Sequence, residues 1–263
     1  MLNNLIIGPC QHESLEHSRK LLDLILEASN GLCKNLYFKA SFDKANRTSG
    51  DATRGVGIKD TLLDFEVLKM VYPNQRFLTD VHTVQQINYI LTSGVIDVLQ
   101  IPAFLSRQTD LIEAACLSGL IVNIKKGQFL APWDVKGILS KCDAAREVWI
   151  TERGTSFGYN TLVNDFTGMQ YIIDTYDCDF VYDVTHSVQK PGGQGTSSGG
   201  NRDYVPRLAY AAAGMGVKNY FIEVHDDPDN APSDGPNALD IKDLKNVLTT
   251  MNDVGSVKWQ TSG

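Results

Sequence analysis

Residues 77–125, FLTDVHTVQQINYILTSGVIDVLQIPAFLSRQTDLIEAACLSGLIVNIK, hold the reading on which the fold class turns. Three short runs rich in β-branched and aromatic residues, Phe77–Thr79, Val95–Ile101 and Ile121–Ile124, have the look of strands. Between them, Val84–Leu91 and Thr109–Leu117 repeat apolar residues three and four apart, the period of a helix with one buried face. Strands that alternate with helical crossovers build parallel sheets. The pattern continues in both directions. Leu5–Gly8, Leu36–Lys39, Val148–Thr151, Phe180–Val184 and Tyr220–Val224 complete eight strand candidates, with helical spacing over Leu15–Ala28, Thr61–Val71, Val135–Cys142, Tyr204–Met215 and Ile241–Met251. Eight strands in such alternation over 263 residues predict a closed (β/α)8 TIM barrel, one catalytic domain over 1–263. No glycine fingerprint follows the first strand, which weakens the rival doubly wound dinucleotide fold.

Composition narrows the function classes. With 43% apolar and 21% charged residues the chain is ordinary globular material. Its formal net charge of −7 and the lack of a Lys/Arg-rich run argue against nucleic acid as a partner. An acidic protein that binds anions must gather its few cations in one place. Five cysteines without CxxC spacing suggest neither a disulfide framework nor a zinc ribbon, so a reduced, cytoplasmic setting is expected. No window approaches the roughly 20 apolar residues of a membrane span, and no membrane partner is expected.

A barrel of this kind carries its chemistry at the C-terminal ends of its strands. Just after the apolar runs stand Cys10, Lys39, Asp80 with His82, Gln100 with Arg107, Lys125, Arg153, His186, and Glu223 with His225. Mere loop polarity predicts Ser, Asn and Gly at such places, whereas this set is biased to cations and metal ligands. Lys39, Lys44, Arg47, Arg107, Lys125 and Arg153 suit phosphate and carboxylate groups and imply a multiply anionic substrate. Any one of them alone would pass for a surface charge. Lys126 follows Lys125 in a strand and should point the opposite way. Cys10, His186, Glu223 and Asp234 offer a thiolate, an imidazole and two carboxylates, a mixture suited to Zn²⁺, Fe²⁺ or Mn²⁺. Spacing alone makes that a weak signal, because a lone Cys at a strand end is more often a small core hydrophobe. His12 and His17 read as helix-surface residues. The Pro191–Gly200 stretch reads as a flexible loop or a lid over the mouth.

From about Ile7 to Met251 the chain resembles the 3-deoxy-D-manno-octulosonate 8-phosphate synthases. Its segments Gly8-Pro-Cys-x-x-Glu-Ser14, Phe38-Lys-Ala-Ser-Phe-Asp-Lys-Ala-Asn-Arg47, Gln100-Ile-Pro-Ala-Phe-Leu-x-Arg-Gln-Thr-Asp110, Asn123-Ile-Lys-Lys-Gly-Gln-Phe-Leu-Ala-Pro-Trp133, Glu152-Arg-Gly-Thr-Ser-Phe-Gly-Tyr-Asn160 and Asp183-Val-Thr-His-Ser-Val-Gln189 are similar to that family's signatures. The resemblance implies condensation of phosphoenolpyruvate with arabinose 5-phosphate, in a homotetramer. It implies that Lys44, Lys125 and Arg153 hold phosphoenolpyruvate, helped by Lys39, Ser41 and Gln128, while Asn46, Arg47 and Thr48 address the sugar phosphate. Asp80 and Arg107 join the expected substrate contacts, and catalysis is expected of Lys44, Lys125, His186 and Asp234. The family divides into metal-dependent members with Cys after the first strand and metal-free members with Asn. Cys10 resembles the former, which makes Cys10, His186, Glu223 and Asp234 the implied ligands.

Three departures stand out. Thr48-Ser-Gly-Asp-Ala52 replaces the usual Ser-Ser-Ile-His-Ser, which bears on sugar specificity; Gln11 replaces a small residue; and the sequence starts almost at its first strand, so a differently covered barrel floor is expected. Rival readings are the related condensation on erythrose 4-phosphate, a sialic-acid-type synthase, a Schiff-base aldolase working through Lys125, and a non-catalytic sugar-phosphate sensor.

Overall fold

The computed structural model describes residues 1–45, 54–193 and 198–257. Eight parallel strands follow one another around a barrel: β1 (Leu2–Gly8), β2 (Cys33–Lys39), β3 (Arg76–Asp80), β4 (Val98–Ile101), β5 (Ile121–Lys125), β6 (Val148–Glu152), β7 (Asp179–Asp183) and β8 (Tyr220–His225). The ring closes because β8 also pairs with β1, in the register Leu5↔Tyr220 to Gly8↔Glu223. The crossovers carry α1 (Leu15–Ser29), α2 (Ile58–Val71), α3 (Val84–Ser93), α4 (Thr109–Cys116), α5 (Val135–Leu139), α6 (Phe166–Thr175), α7 (Val205–Met215) and α8 (Ile241–Val254). The (β/α)8 barrel expected from the alternation is therefore the fold. Among the described residues no helix is long and apolar enough to cross a membrane.

Local chemistry sets the helix ends. Ser14 Oγ accepts the His17 amide at 3.1 Å to start α1. Thr83 and Gln86 form a reciprocal capping box at the start of α3. Gly94 (φ 67°) and Gly216 (φ 103°) end α3 and α7 in the left-handed region, which costs glycine little. The alternation did not mark α6. Its sequence, FTGMQYIIDT, is rich in residues with weak helix preference, and burial of Met169 and Ile172 under tertiary packing decides it. A short hairpin, Thr155–Ser156 with Leu162–Val163, precedes it and was equally unmarked.

The strands are buried on both faces, so two cores form. The larger lies between strands and helices. The smaller fills the barrel with one residue from each strand: Ile6, Tyr37, Leu78, Val98, Ile121, Trp149, Val181 and Phe221. Trp149 is fully buried there, and truncating so large a side chain in a sealed layer costs about 3–5 kcal/mol. Strand side chains alternate, so the residue two positions further along each strand faces the same interior, one layer nearer the C-terminal mouth. That layer is Gly8, Lys39, Asp80, Gln100, Asn123, Thr151, Asp183 and Glu223, polar at seven of eight places. The apolar plug is thus a floor and the polar layer stands on it.

Candidate active site

A cavity of about 430 Å³ opens at the C-terminal ends of the strands. Lys39, Ser41, Lys44, Asp80, Gln100, Lys125, Gln128, Arg153, Asp183, His186, Gln189 and Asp234 line it. Most of the residues singled out in the sequence meet here. Arg107 does not: it is exposed on the loop after β4 and lines a separate hollow with Leu130, Asp134 and Lys141. The short β4 ends in a turn over Ala103–Leu105 that carries the chain outward before Arg107 is reached. Asn46, Arg47, Thr48 and the altered stretch to Ala52 lie outside the described residues, as do 194–197 of the expected lid. Pro191, Gly192 and Ser198, which flank that gap, do line the mouth.

The cations are held by burial and by neighbours. Lys44 Nζ donates to Ser41 Oγ at 2.9 Å. Burial alone would lower its pKa, but the acidic groups around it, Cys10, Glu223, Asp80 and Asp234, whose ionised forms favour a charged lysine, outweigh that and hold it above the usual lysine value. Lys125 Nζ pairs with Asp183 Oδ2 and sits 3.2 Å from the centre of the Phe221 ring. Its environment differs in balance: burial dominates, and with nearby Lys39 it pushes the ammonium down to about 8 although Asp183 opposes the shift. Arg153 donates from Nη2 to Gln189 Oε1 at 2.7 Å and to the His186 carbonyl at 3.3 Å. Its Nε is buried and donates to nothing, an unanswered cationic N–H beside a cavity. Lys126 points away, as the strand alternation requires, and pairs with Glu152 Oε2 at 3.2 Å.

Beneath one wall the thiolate, imidazole and carboxylate group assembles. One ligand atom from each of Cys10, His186, Glu223 and Asp234 lies within 4.8 Å of the other three. His186 Nε2 stands 3.7 Å from Glu223 Oε2 and 3.9 Å from Asp234 Oδ2. The Cys10 thiol donates to Ser233 Oγ at 3.1 Å and to Asp234 Oδ2 at 3.3 Å. A loop that folds back after β8 brings Asp234 in; its residues Leu239–Asp240 pair with Val224 and His225, and Asp234 itself sits at φ 50°. A non-glycine residue there is a strained choice, tolerated best by Asn and Asp.

The donor set fits a divalent ion on three counts. Glu223 Oε2 is buried and accepts no hydrogen bond, a costly condition for a carboxylate oxygen unless a cation answers it. His186 Nδ1 meets Asp183 Oδ2 at 2.8 Å, the outer support that leaves Nε2 free to ligate. Burial, then Glu223, raises the Cys10 pKa far above the usual thiol value, so the thiolate forms there only with a cation beside it. Both carboxylates are ionised: burial disfavours their charge, but His186 with Lys39 lowers Glu223, and His186 with Lys44 brings Asp234 to about 2.

Several roles were not legible beforehand. Lys39 is committed to the ligand group, donating to Glu223 Oε1 and to the Cys10 carbonyl, both at 3.1 Å. Asp183 accepts four times, from Lys125, from His186 Nδ1 and from the amides of Thr185 and His186. Gln189 joins the two halves of the site, accepting from Arg153 and donating from Nε2 to Asp234 Oδ1 at 2.8 Å. Asp183 stands two residues beyond the interior Val181, so strand alternation was a usable signal for it; nothing comparable marked Gln189. Asp80 is buried beside His82 Nε2 at 3.3 Å, and His82 with Lys39 and Lys44 keeps its carboxyl ionised against burial. His12 corrects the surface reading: it is fully buried, bonded through Nδ1 to Ser18 Oγ at 2.9 Å and through Nε2 to Asp64 at 2.8 Å, tying α1 to α2.

Residues 3–258 match the model of the DAHP synthetase I family. The 2-dehydro-3-deoxyphosphooctonate aldolase of Caulobacter vibrioides (strain NA1000 / CB15N) is 49% identical over 250 residues, 94% of this chain and 86% of that protein. The proteins of the same name from Agrobacterium fabrum and Rhodopseudomonas palustris (strain BisB5) are 49% and 46% identical, covering 93% and 99% of this chain and 86% and 90% of theirs.

Proposed function

This chain belongs to the DAHP synthetase I family, and on that premise we propose that it condenses phosphoenolpyruvate with D-arabinose 5-phosphate and water, releasing 3-deoxy-D-manno-octulosonate 8-phosphate and inorganic phosphate. The observation that carries the reading is one cavity lined by Lys44, Lys125 and Arg153 together with His186 and Asp234 of a ligand-ready quartet.

In this reading the carboxylate and phosphate of phosphoenolpyruvate lie among Lys44, Lys125 and Arg153, with Ser41 and Gln128 as polar support. The phosphoenolpyruvate methylene carbon forms the new bond to the sugar aldehyde carbon, whose oxygen becomes a hydroxyl. Water adds to the former enol carbon, and phosphate leaves with cleavage of that carbon's bond to oxygen. The proton that water loses balances the one that the new hydroxyl gains. The cations steady the charge that moves as these bonds change. Asp80 lines the cavity next to Lys44 and is assigned to substrate contact. Asn46, Arg47 and Thr48 are assigned to the sugar phosphate.

Cys10, His186, Glu223 and Asp234 would hold a divalent ion, Zn²⁺, Fe²⁺ or Mn²⁺, which when bound supplies Lewis acidity toward the aldehyde or the attacking water. Asp183 holds the His186 ring, Lys39 holds Glu223, and Gln189 holds Asp234 against Arg153. The assembly is proposed to be a homotetramer. Exposed aromatic side chains, Phe104, Phe129, Trp133 and Phe157, supply apolar surface for further copies to cover.

Product identification tests the reading. Arabinose 5-phosphate is expected to be turned over at least about tenfold faster than erythrose 4-phosphate, roughly 1.4 kcal/mol in transition-state binding. Equal or reversed rates would overturn it and favour the four-carbon sugar.

A further inference from the structure

We propose a second divalent-cation site, separate from the quartet, formed by Glu13, His17 and His225 between the first turn of α1 and the end of β8. One ligand atom of each lies within 4.8 Å of the other two. The two imidazole rings stand 4.9 Å apart, tilted by 37°. Their near nitrogens face one carboxylate oxygen: Glu13 Oε1 is 2.8 Å from His225 Nε2 and 3.6 Å from His17 Nδ1. Their far nitrogens face another: Asp226 Oδ1 is 3.0 Å from His17 Nε2 and 3.5 Å from His225 Nδ1. His17 therefore has a carboxylate in hydrogen-bond reach on its outer side, and both rings face a common point on their inner side, the arrangement that prepares a histidine as a ligand.

His17 is the most telling member. Its Nδ1 is buried and engaged in no hydrogen bond, while Nε2 lies 3.0 Å from Asp226 Oδ1; the neutral ring with its proton on Nε2 would turn a lone pair toward that inner space. A buried acceptor left so is costly unless something answers it. Asp226 is itself fixed from the other side, because Lys20 Nζ donates to its Oδ2 at 2.6 Å. The Nε2 proton of His225, directed at Glu13, occupies the place that a cation would take. On binding, that proton leaves Nε2 and His225 Nδ1 becomes the donor toward Asp226, while the Asp227 amide gives up its present 2.9 Å contact with Nδ1. Two imidazoles and one carboxylate with room for water make an open site for Zn²⁺ and its neighbours in the first transition row. Glu13 is the exposed edge, at 31% of its side chain, and gives solvent access; His17 and His225 are 15% and 9% exposed. Glu13 lies three residues after Cys10 and His225 two after Glu223, so an ion here would pin together the two segments that carry quartet ligands.

The test uses the intact chain stripped by chelator and titrated with Co²⁺. Bound ion is counted by equilibrium dialysis while the thiolate-to-cobalt absorption is followed. Of the two sites only the quartet contains a cysteine, so that band, lost in Cys10→Asn, reports the quartet and the remaining ion reports the new site. Wild type is expected to take up two ions per chain. The His17→Gln variant should take up one and keep the band, and Glu13→Gln should hold the second ion at least roughly tenfold more weakly. Circular dichroism checks that both variants are folded, and if one is not, the other decides. Uptake of a single ion by wild type, with His17 only a cation between two carboxylates, would overturn the proposal. So would a second ion held equally well by wild type and the folded variants. A missing thiolate band with a His17-dependent ion retained would refute the quartet and leave this site standing.

Discussion

Asp183→Asn is the substitution on which the site's internal logic can be tried most severely. In the wild-type chain Asp183 Oδ1 accepts the amides of Thr185 and His186 at 3.1 and 2.9 Å. Its Oδ2 accepts from Lys125 and from His186 Nδ1. An asparagine has nearly the same shape but keeps one acceptor, which the two backbone amides hold in place. Its amide nitrogen then faces two donors. Facing an N–H, His186 Nδ1 can serve only as acceptor, which moves the ring proton to Nε2, the nitrogen aimed at Glu223 and Asp234. A protonated Nε2 cannot ligate. Losing an outer carboxylate of this kind costs about 10–100-fold in metal affinity, or about 1.4–2.8 kcal/mol at about 1.4 kcal/mol per decade. Lys125 loses its counterion in the same step and, buried, tends to shed its proton, so phosphoenolpyruvate binding should weaken as well. Competition with a chelator of known affinity measures the first effect, and KM for phosphoenolpyruvate the second. A folded Asp183→Asn protein that binds metal as tightly as wild type would refute the assignment of Asp183 as the support of His186.

Other consequences are as direct. Arg153→Ala removes a forked anion donor and should lower turnover by about two orders of magnitude with folding largely intact; a folded variant of near-normal activity would make Arg153 a structural cation. Removal of metal by chelation should abolish turnover, with Mn²⁺, Fe²⁺ or Zn²⁺ restoring it, because mixed N, O and S ligands choose weakly among them; full activity after exhaustive dialysis, with no metal by elemental analysis, would sink the quartet. Cys10→Asn, which introduces the residue that the family resemblance implies for metal-free members, should retain some chelator-insensitive turnover, and a wholly inactive folded protein would count against the analogy. Burial pushes the Lys125 pKa down to about 8, so its charge is present below that pH and lost above it. KM for phosphoenolpyruvate should therefore rise as pH passes through about 8, and a KM flat to pH 10 would show that Lys125 does not hold the substrate.

The sequence by itself pointed to the barrel, because apolar runs alternating with 3.6-period segments call for a parallel sheet under helices, and eight strands in a chain of this length without a glycine fingerprint favour the closed ring over the open sheet. It also marked the strand ends, since a barrel carries its chemistry just beyond the apolar runs, and Lys39, Asp80 and Glu223 follow from that rule. Lys126 pointing away from Lys125 follows equally. What it could not determine were relations between segments far apart in the chain. That Asp234 returns to Cys10 depends on a loop folded back by the pairing of Leu239–Asp240 with the end of β8. That Arg107 stays outside the cavity depends on where the turn after β4 leaves the wall, and the burial of His12 on Ser18 and Asp64, contributed by two different helices, reaching its ring. α6 needed the core to form at all, because its local preference is too weak. Periodicity encodes which way a side chain points along its own strand or helix; which partner it meets there is fixed only when the barrel closes and brings the loops to one end.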